Sequence, residues 1–265
     1  MSFVKKLLKL DGMTNSELKK MTSRSRFEDY LPWVAYDPET NIYLNQDNSA
    51  GFMFECSPLA FANTQTINTL EGLFRLDVPE GSIIQFILFA DPEISHYLNR
   101  YVEMKARELE VTQESAKRFT EHIRKGTKGL ENISNIPVRD FRLFVTFKFP
   151  LDRWSEKSHN IKQLQATAKE VLIGAKLYPE TFEVELLLDW MRRIFNNKRF
   201  AHRFMYDEDI PINKQVILSD TAIEKKHDFL KVDEGRYKCL TPKLFPEKVH
   251  PYQTNMLFGG LQGVA

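Results

Sequence analysis

Cysteine is nearly absent from this chain. Cys56 and Cys239 are the only two among 265 residues, and no Cys/His cluster and no leading signal-peptide pattern accompany them. That excludes a disulfide framework and closely spaced structural zinc ligands, and it fits a reducing cytoplasm. Long hydrophobic runs are missing too. The purest apolar stretch, Ser82 to Ala90, is interrupted by Gln85 and falls far short of the ~20 residues a spanning helix needs. Nor does charge of one sign dominate: 37 Lys and Arg stand against 36 Asp and Glu, a formal charge of +1. No global field favours nucleic acid or an acidic substrate, so any basic surface must be local.

Motifs that carry chemistry are lacking as well. A nucleotide-hydrolysing motor needs Gly-x-x-x-x-Gly-Lys-Ser/Thr after a strand, because backbone amides and a lysine must cradle the phosphates. The nearest imitation, Arg124-Lys125-Gly126-Thr127-Lys128-Gly129, follows a predicted helix and has the wrong spacing, which makes it a plain loop. The six histidines, His96, His122, His159, His202, His227 and His250, are scattered and form no i, i+4 pair of the kind a helical metal site uses. Cys56 and Ser57-Pro58 sit at a strand end without a Gly-x-Ser-x-Gly elbow, so Cys56 reads as a small core residue. Asp207-Glu208-Asp209 lacks the spaced oxygen ligands of a calcium loop and reads as a solvated turn. No catalytic, cofactor-binding or metal residue is therefore assigned, and the expectation is a chain that does not itself hydrolyse ATP.

What is present is material for a core: 42% of the residues are hydrophobic and 12% are aromatic, enough for one large or two small domains. Trp33 to Tyr36, Ile42 to Leu44 and Gly51 to Cys56 read as three strands of a meander, separated by Asp37-Pro38-Glu39-Thr40 and by Asn45 to Ala50. Thr64 to Leu76 has helical spacing at Ile67, Leu70, Leu73 and Phe74, and Ser82 to Ala90 then reads as a buried strand. Strand, helix, strand allows the last two strands to lie parallel, with the helix as crossover. From Asp91-Pro92 a helix is expected to run to about Glu110, with a second from Thr112 to Lys125 and a polar loop from Gly126 to Asn135. Phe141 to Phe149 is the clearest alternating strand, placing Phe141, Leu143, Val145, Phe147 and Phe149 on one face. Ile161 to Ala175 and Phe182 to Phe195 then form a helical hairpin covering the sheet, and short strands are expected at Gln215 to Leu218 and Arg236 to Leu240. The fold class is α+β, with a mixed, largely antiparallel sheet, flanking helices and a helical hairpin. Three segments follow: a basic arm over 1–26, an α+β domain over 27–210, and a proline-punctuated extension over 211–265. The small and apolar ending, Asn255 to Ala265, suggests a chain that belongs to something longer.

Two basic features stand out. In the arm, a turn of ~100° per residue puts Phe3, Val4, Leu7, Leu8 and Leu10 on one face and Lys5, Lys6 and Lys9 on the other. A capping-box spacing from Thr14 to Glu17 starts a second short helix, and residues 1–26 carry seven basic side chains against two acidic. The arm docks either on the body of the protein or another subunit, or on a membrane surface. The second feature joins Arg192, Arg193, Lys198, Arg199 and Arg203 with Phe195, Phe200 and Phe204 in one stretch free of acids. Cations beside aromatics suit single-stranded nucleic acid, anionic lipid heads or an acidic partner. They equally suit a helix end whose aromatics are buried and whose cations are solvated.

Leu31-Pro32-Trp33, Ala35-Tyr36-Asp37, the Asn45-to-Gly51 turn, Gly51-Phe52-x-Phe54-Glu55 and Ser57-Pro58-Leu59 resemble the start of the TraC proteins. These are the F-type conjugation members of the large ATPases that power type IV secretion and pilus assembly. The similarity continues through the helix at Thr64 to Leu76, Gln85-Phe86-Ile87-Leu88-Phe89 and Phe141 to Phe149. The resemblance implies an N-terminal domain that precedes the nucleotide-binding motor, with ATP and Mg expected only in that further part. It also implies a place at the cytoplasmic side of the bacterial inner membrane. The implied partners are inner-membrane subunits of the secretion apparatus and other copies of the chain. Phe3, Lys5, Lys6, Leu7 and Lys9 in the arm and Arg193, Lys198, Arg199 and Arg203 in the patch are the candidate contacts. The alternative is a single-stranded DNA-binding module of the conjugation apparatus, using the patch from Arg192 to Phe204.

Overall fold

The computed structural model describes residues 26–59, 62–129, 137–151, 161–196, 205–218, 221–241 and 243–244. The amphipathic arm, the loop at 130–136, Lys198, Arg199, Arg203 and the apolar ending all lie outside the described residues. Two compact units divide the chain: the residues up to Ile87 together with Phe144–Leu240, and Leu88–Leu143. The fold is α+β, as its sequence pattern implies.

The first unit opens with a 3-10 turn, Phe27–Tyr30, and then the expected meander: β1 (Trp33–Asp37), β2 (Ile42–Asn45) and β3 (Ser49–Cys56), paired antiparallel in sequence. Local chemistry closes both turns. Asp37 Oδ1 accepts the Glu39 N–H at 3.1 Å, and Asn41 and Asn48 take left-handed φ values of 57° and 56°, a conformation asparagine tolerates better than most residues. Asn63 caps α1 (Thr64–Leu70) by accepting the Thr66 N–H at 2.8 Å, the usual exchange for an orphan helix donor. A 3-10 turn at Glu71–Arg75 extends α1, so the apolar spacing read over Thr64 to Leu76 holds.

β4 (Ile83–Asp91) differs from its reading. The strand order is β1-β2-β3-β5-β4, with β5 (Asp140–Pro150) inserted between β3 and β4. The strands on either side of α1 are therefore not neighbours, because a strand later in the chain pairs with both. β4 is also an edge strand, not a buried one: Ile83, Phe86 and Leu88 are 53%, 45% and 40% exposed. An unbroken apolar run cannot by itself distinguish the centre of a sheet from its edge.

β5 carries the core. Val145, Phe147 and Phe149 are buried as the alternation predicts, and Phe144 is buried too, whereas Phe141 is exposed. The rings of Phe52 and Phe147 stack with centroids 4.7 Å apart, and Phe54 and Phe149 complete that cluster. A second cluster joins Phe144, Phe182 and Trp190, with Phe144 and Trp190 stacked at 4.1 Å. Aromatic pairs in these geometries contribute about 0.5–1.5 kcal/mol each beyond the area they bury.

In the second unit, α2 (Ser95–Met104) and α3 (Glu110–Gly126) form a hairpin. α2 stops six residues short of the predicted end. The Lys105 N–H bonds the Val102 carbonyl at 3.0 Å, and the Gln113 side chain donates to the Ala106 and Glu108 carbonyls at 3.1 and 2.9 Å. One glutamine thus supplies the stop that no glycine or proline announces.

The two helices of the expected hairpin are present, α4 (Ile161–Gly174) and α5 (Val184–Phe195), but α4 packs on α1, and between α4 and α5 a two-residue strand, β6 (Glu180–Thr181), joins the sheet. β6 pairs with Phe54 and Glu55 of β3, beyond the Gly51 and Ala50 that pair with β2. Gln215 to Leu218 is not a strand. Gln215 and Val216 close a short helix, α6 (Ile212–Val216), entered through Pro211. A proline at a helix start carries the fixed φ that a first turn requires. A separate antiparallel sheet follows, β7 (Ile223–Lys225), β8 (Leu230–Val232) and β9 (Gly235–Tyr237).

Candidate partner-contact site

α5 is amphipathic in the strict sense that one side of it is core. Val184, Leu187, Leu188, Trp190 and Met191 are buried, Glu185 lies in the first turn and Arg192 and Arg193 in the last, which complements the helix dipole. Its C-terminal end leads directly into the basic segment singled out above.

Two residues of that patch are part of the fabric. Arg192 is 9% exposed, and its Nε donates to the Gln215 carbonyl at 2.6 Å; burial lowers its pKa from the ordinary guanidinium value. Phe195 packs against Phe27, centroids 5.4 Å apart. Both are therefore engaged as a helix end would engage them. Arg193 is part-buried, with Nε 3.9 Å from Asp189 Oδ2 one turn back. Lys198, Arg199 and Arg203, with Phe200 and Phe204, lie outside the described residues.

The flanks of that segment are held tightly, and by residues that sequence reasoning passed over. Asn196 is fully buried. Its amide donates to the Arg192 and Val216 carbonyls at 3.0 and 2.9 Å, and its carbonyl accepts from the Leu218 N–H and the Thr221 hydroxyl, both at 2.8 Å. All four hydrogen bonds open to an asparagine side chain are made. On the other flank Gln215, 5% exposed, accepts the Asp207 N–H at 3.1 Å and donates to the Asp207 and Ile210 carbonyls at 2.8 and 2.6 Å. Tyr206 sets its ring edge-on to Tyr36 of β1 at 6.5 Å. Both flanks of 197–204 are thus fastened to one short helix, α6.

The same junction receives the residue at which the arm ends. Beyond Arg26, Phe27 packs on Phe195, and the Lys214 ammonium of α6 bridges Glu28 at 3.0 Å and Asp29. The hydrogen bond from Lys214 holds the Asp29 carboxyl below the usual carboxylate range. From the other direction, the Tyr237 hydroxyl of β9 donates to the Ile194 carbonyl at 2.6 Å. Pro211 ahead of α6 was the one legible signal here; buried Asn196 and Gln215 look like ordinary loop residues.

Among the described residues no group of three or more His, Cys, Asp or Glu could hold a metal ion. Burial pushes the Cys56 thiol up to about 12, so Cys56 is a packed residue with little thiolate at neutral pH. No helix among the described residues is long and apolar enough to cross a membrane.

What fold and site define is an α+β domain that gathers the roots of two basic segments at one helix end. The comparison with known families agrees with the resemblance in the residues: the family described as TraC protein matches residues 27–264, and the chain belongs to that family. It is 24% identical over 222 residues to Protein TraC of Escherichia coli (strain K12), a match covering 77% of this chain and 24% of that protein. The chain thus spans about a quarter of the length of the curated relative it matches.

Proposed function

We propose that this chain is an anchoring and assembly domain of a type IV secretion apparatus for conjugation and pilus assembly. It docks a motor to the inner-membrane subunits and to other copies of itself, peripherally, on the cytoplasmic side of the bacterial inner membrane. Membership of the TraC family supports the setting. The observation that carries the docking role is the convergence of Arg26–Tyr30, Asn196 and Asp207 on α5 and α6. Two separate basic segments, each too short to fold stably alone, leave a junction held by the side-chain hydrogen bonds of buried Asn196 and Gln215, which suits presentation of cationic side chains to an anionic surface or partner. Under this reading ATP and Mg belong to a further part of a longer parent, and this domain has no catalytic role of its own. The single-stranded DNA alternative is weakened, because Arg192 and Phe195 are taken up by packing and leave fewer cation and aromatic groups for stacking.

Flotation with anionic liposomes, and with membranes carrying the secretion subunits, tests the reading. The intact chain should float, and removal of the first twelve residues or the pair Arg199→Glu and Arg203→Glu should reduce the floated fraction. If neither change matters, the two basic segments are not the anchor. Salt-sensitive binding of single-stranded DNA, lost in the double Glu variant, would favour the alternative instead.

A further inference from the structure

The α2–α3 hairpin sorts its charges by side. Where the two helices meet, the rings of Tyr101 and Phe119 lie 5.6 Å apart and are 39% and 52% exposed, so this aromatic seam opens to solvent. Tyr97, one turn before Tyr101 and also exposed, extends it along α2. Read at ~100° per residue, buried Leu98 stands about 60° from Tyr101 in one sense and Arg100 about 100° in the other. The same offsets recur on α3, where buried Ala116 stands about 60° from Phe119 and Arg118 about 100° in the other sense. Because the helices of a hairpin run antiparallel, equal senses put both buried sides below the seam and both arginines above it. Lys125 joins Arg118 about 20° further round.

The seam is thus a groove floored by three rings and flanked by cations on both helices, and no Asp or Glu of either helix falls within it. The one acid of α2, Glu103, lies about 60° beyond Arg100, and on α3 Glu110, Glu114 and Glu121 gather on a stripe that begins about 20° beyond Lys125. Arg118 does reach Glu114, at 3.1 Å, but both side chains are exposed, and such a pair contributes little and exchanges readily. Asp140 of β5, 3.5 Å from the Tyr97 hydroxyl, limits the groove at one end.

We propose that this groove binds single-stranded nucleic acid, with bases on Tyr97, Tyr101 and Phe119 and the phosphate backbone against Arg100, Arg118 and Lys125. Two properties select that occupant. Cations without acids call for an anion, and rings set between them call for flat apolar faces; a single strand supplies both together. A duplex keeps its bases stacked inside, and an acidic peptide has no comparable faces to offer. An anionic lipid surface matches the charge, but a flat bilayer rests on the crests of two helices, whereas these rings lie in the seam between them. The groove uses no residue from Arg192 to Phe204, so it is separate from the basic patch at the end of α5, and it goes beyond the anchoring role.

The experiment is fluorescence anisotropy of labelled oligo(dT) with the full 265-residue chain over a salt series. The variants are the pair Arg100→Gln and Lys125→Gln, and separately Tyr101→Leu and Phe119→Leu, with circular dichroism as the check on folding. The wild type should bind, less tightly as salt rises. The Gln pair should flatten the dependence of log K on log salt by about 0.7 per cation removed. Each ring variant should weaken binding roughly tenfold while leaving that slope unchanged, an effect of lost stacking that charge alone does not produce. The pair Arg199→Glu and Arg203→Glu should bind oligo(dT) as the wild type does. A wild type that fails to bind at low salt overturns the proposal. So do ring variants that bind as tightly as the wild type, and so does binding lost in the Arg199 and Arg203 pair but kept in the Gln pair. Flotation on phosphatidylglycerol vesicles should be unchanged in the ring variants; if it falls instead, the groove is a lipid surface and the proposal fails.

Discussion

Asn196 and Val216 stand twenty residues apart in the chain and are joined by a 2.9 Å hydrogen bond from side-chain amide to main-chain carbonyl, inside a fully buried site. Because the same amide also serves Arg192, Leu218 and Thr221, one side chain ties the end of α5 to both α6 and the start of the small sheet. Asparagine is suited to this because it offers two donors and two acceptors without charge.

Replacing it is expected to be costly. Asn196→Ala leaves the Leu218 N–H and the Val216 carbonyl without their buried partner, and at about 1–3 kcal/mol for each unsatisfied group a loss of about 3 kcal/mol is expected. Asn196→Asp should be worse, since it removes both donors and buries a charge. Urea unfolding monitored by circular dichroism gives the measure: the midpoint should fall with the slope unchanged. A loss of less than about 1 kcal/mol in Asn196→Ala would mean that water or a shifted backbone takes over the amide's role.

Gly51 makes a sharper case. A Cβ on Gly51 would lie 2.2 Å from the Phe147 carbonyl oxygen, a main-chain atom that cannot swing aside as a side-chain tip could. Gly51→Ala should therefore part β3 from β5 in the middle of the aromatic core, at about 3 kcal/mol or more. Gly72→Ala is the control: its Cβ would meet the Val171 methyls at 3.5 Å, an ordinary contact, so its effect should stay within about 0.5 kcal/mol or be slightly stabilising. Thermal unfolding of the two variants side by side decides the matter; equal effects would show that glycine flexibility rather than the close approach matters at position 51.

The meander, α1, β5 and the helices α4 and α5 were legible because each rests on local signals. Alternating phenylalanines mark β5, and Asn41 and Asn48 sit where left-handed turns need them. What was not legible depends on who pairs with whom. Nothing in Ile83–Asp91 says that it ends the sheet, and nothing in Gln215 says that it will turn inward to hold Asp207. The contact candidates divide the same way. Helical spacing reads a cationic face in the arm, which lies outside the described residues, and only tertiary structure shows that Arg192 spends its guanidinium on the Gln215 carbonyl while Arg193 is part-buried beside Asp189.

Asp140, at the start of β5, offers a test by pH. Burial raises its pKa above the ordinary carboxylate value; His96 and Arg142 work against that, and Asp91 adds to it. Tyr97 donates its hydroxyl to Asp140 at 3.5 Å, and Arg142 lies 3.6 Å from Asp91. With a raised pKa the folded state holds the Asp140 proton to higher pH than the unfolded state does. Stability from this group is therefore fully present below the unfolded value of about 4 and is lost as pH rises through the folded value. Asp29 and Asp47 act with the opposite sign. Their pKa values are lowered, first by the hydrogen bonds from Lys214 and Lys148 respectively, so their contribution is present above about 4 and is lost as pH falls through the folded value. The two effects thus occupy different pH ranges. Asp140→Asn keeps an oxygen for Tyr97 but removes the ionisation, so the variant should be more stable than the wild type at pH 7. Its advantage should shrink as pH falls toward about 4, where the wild-type carboxyl is protonated in both states. Melting temperatures of both proteins at half-unit steps from pH 4 to 7 measure this difference directly. A variant that is less stable at pH 7, or an advantage that does not change with pH, would mean that the neighbouring Arg142 and His96 hold Asp140 ionised and that its charge supports the second unit.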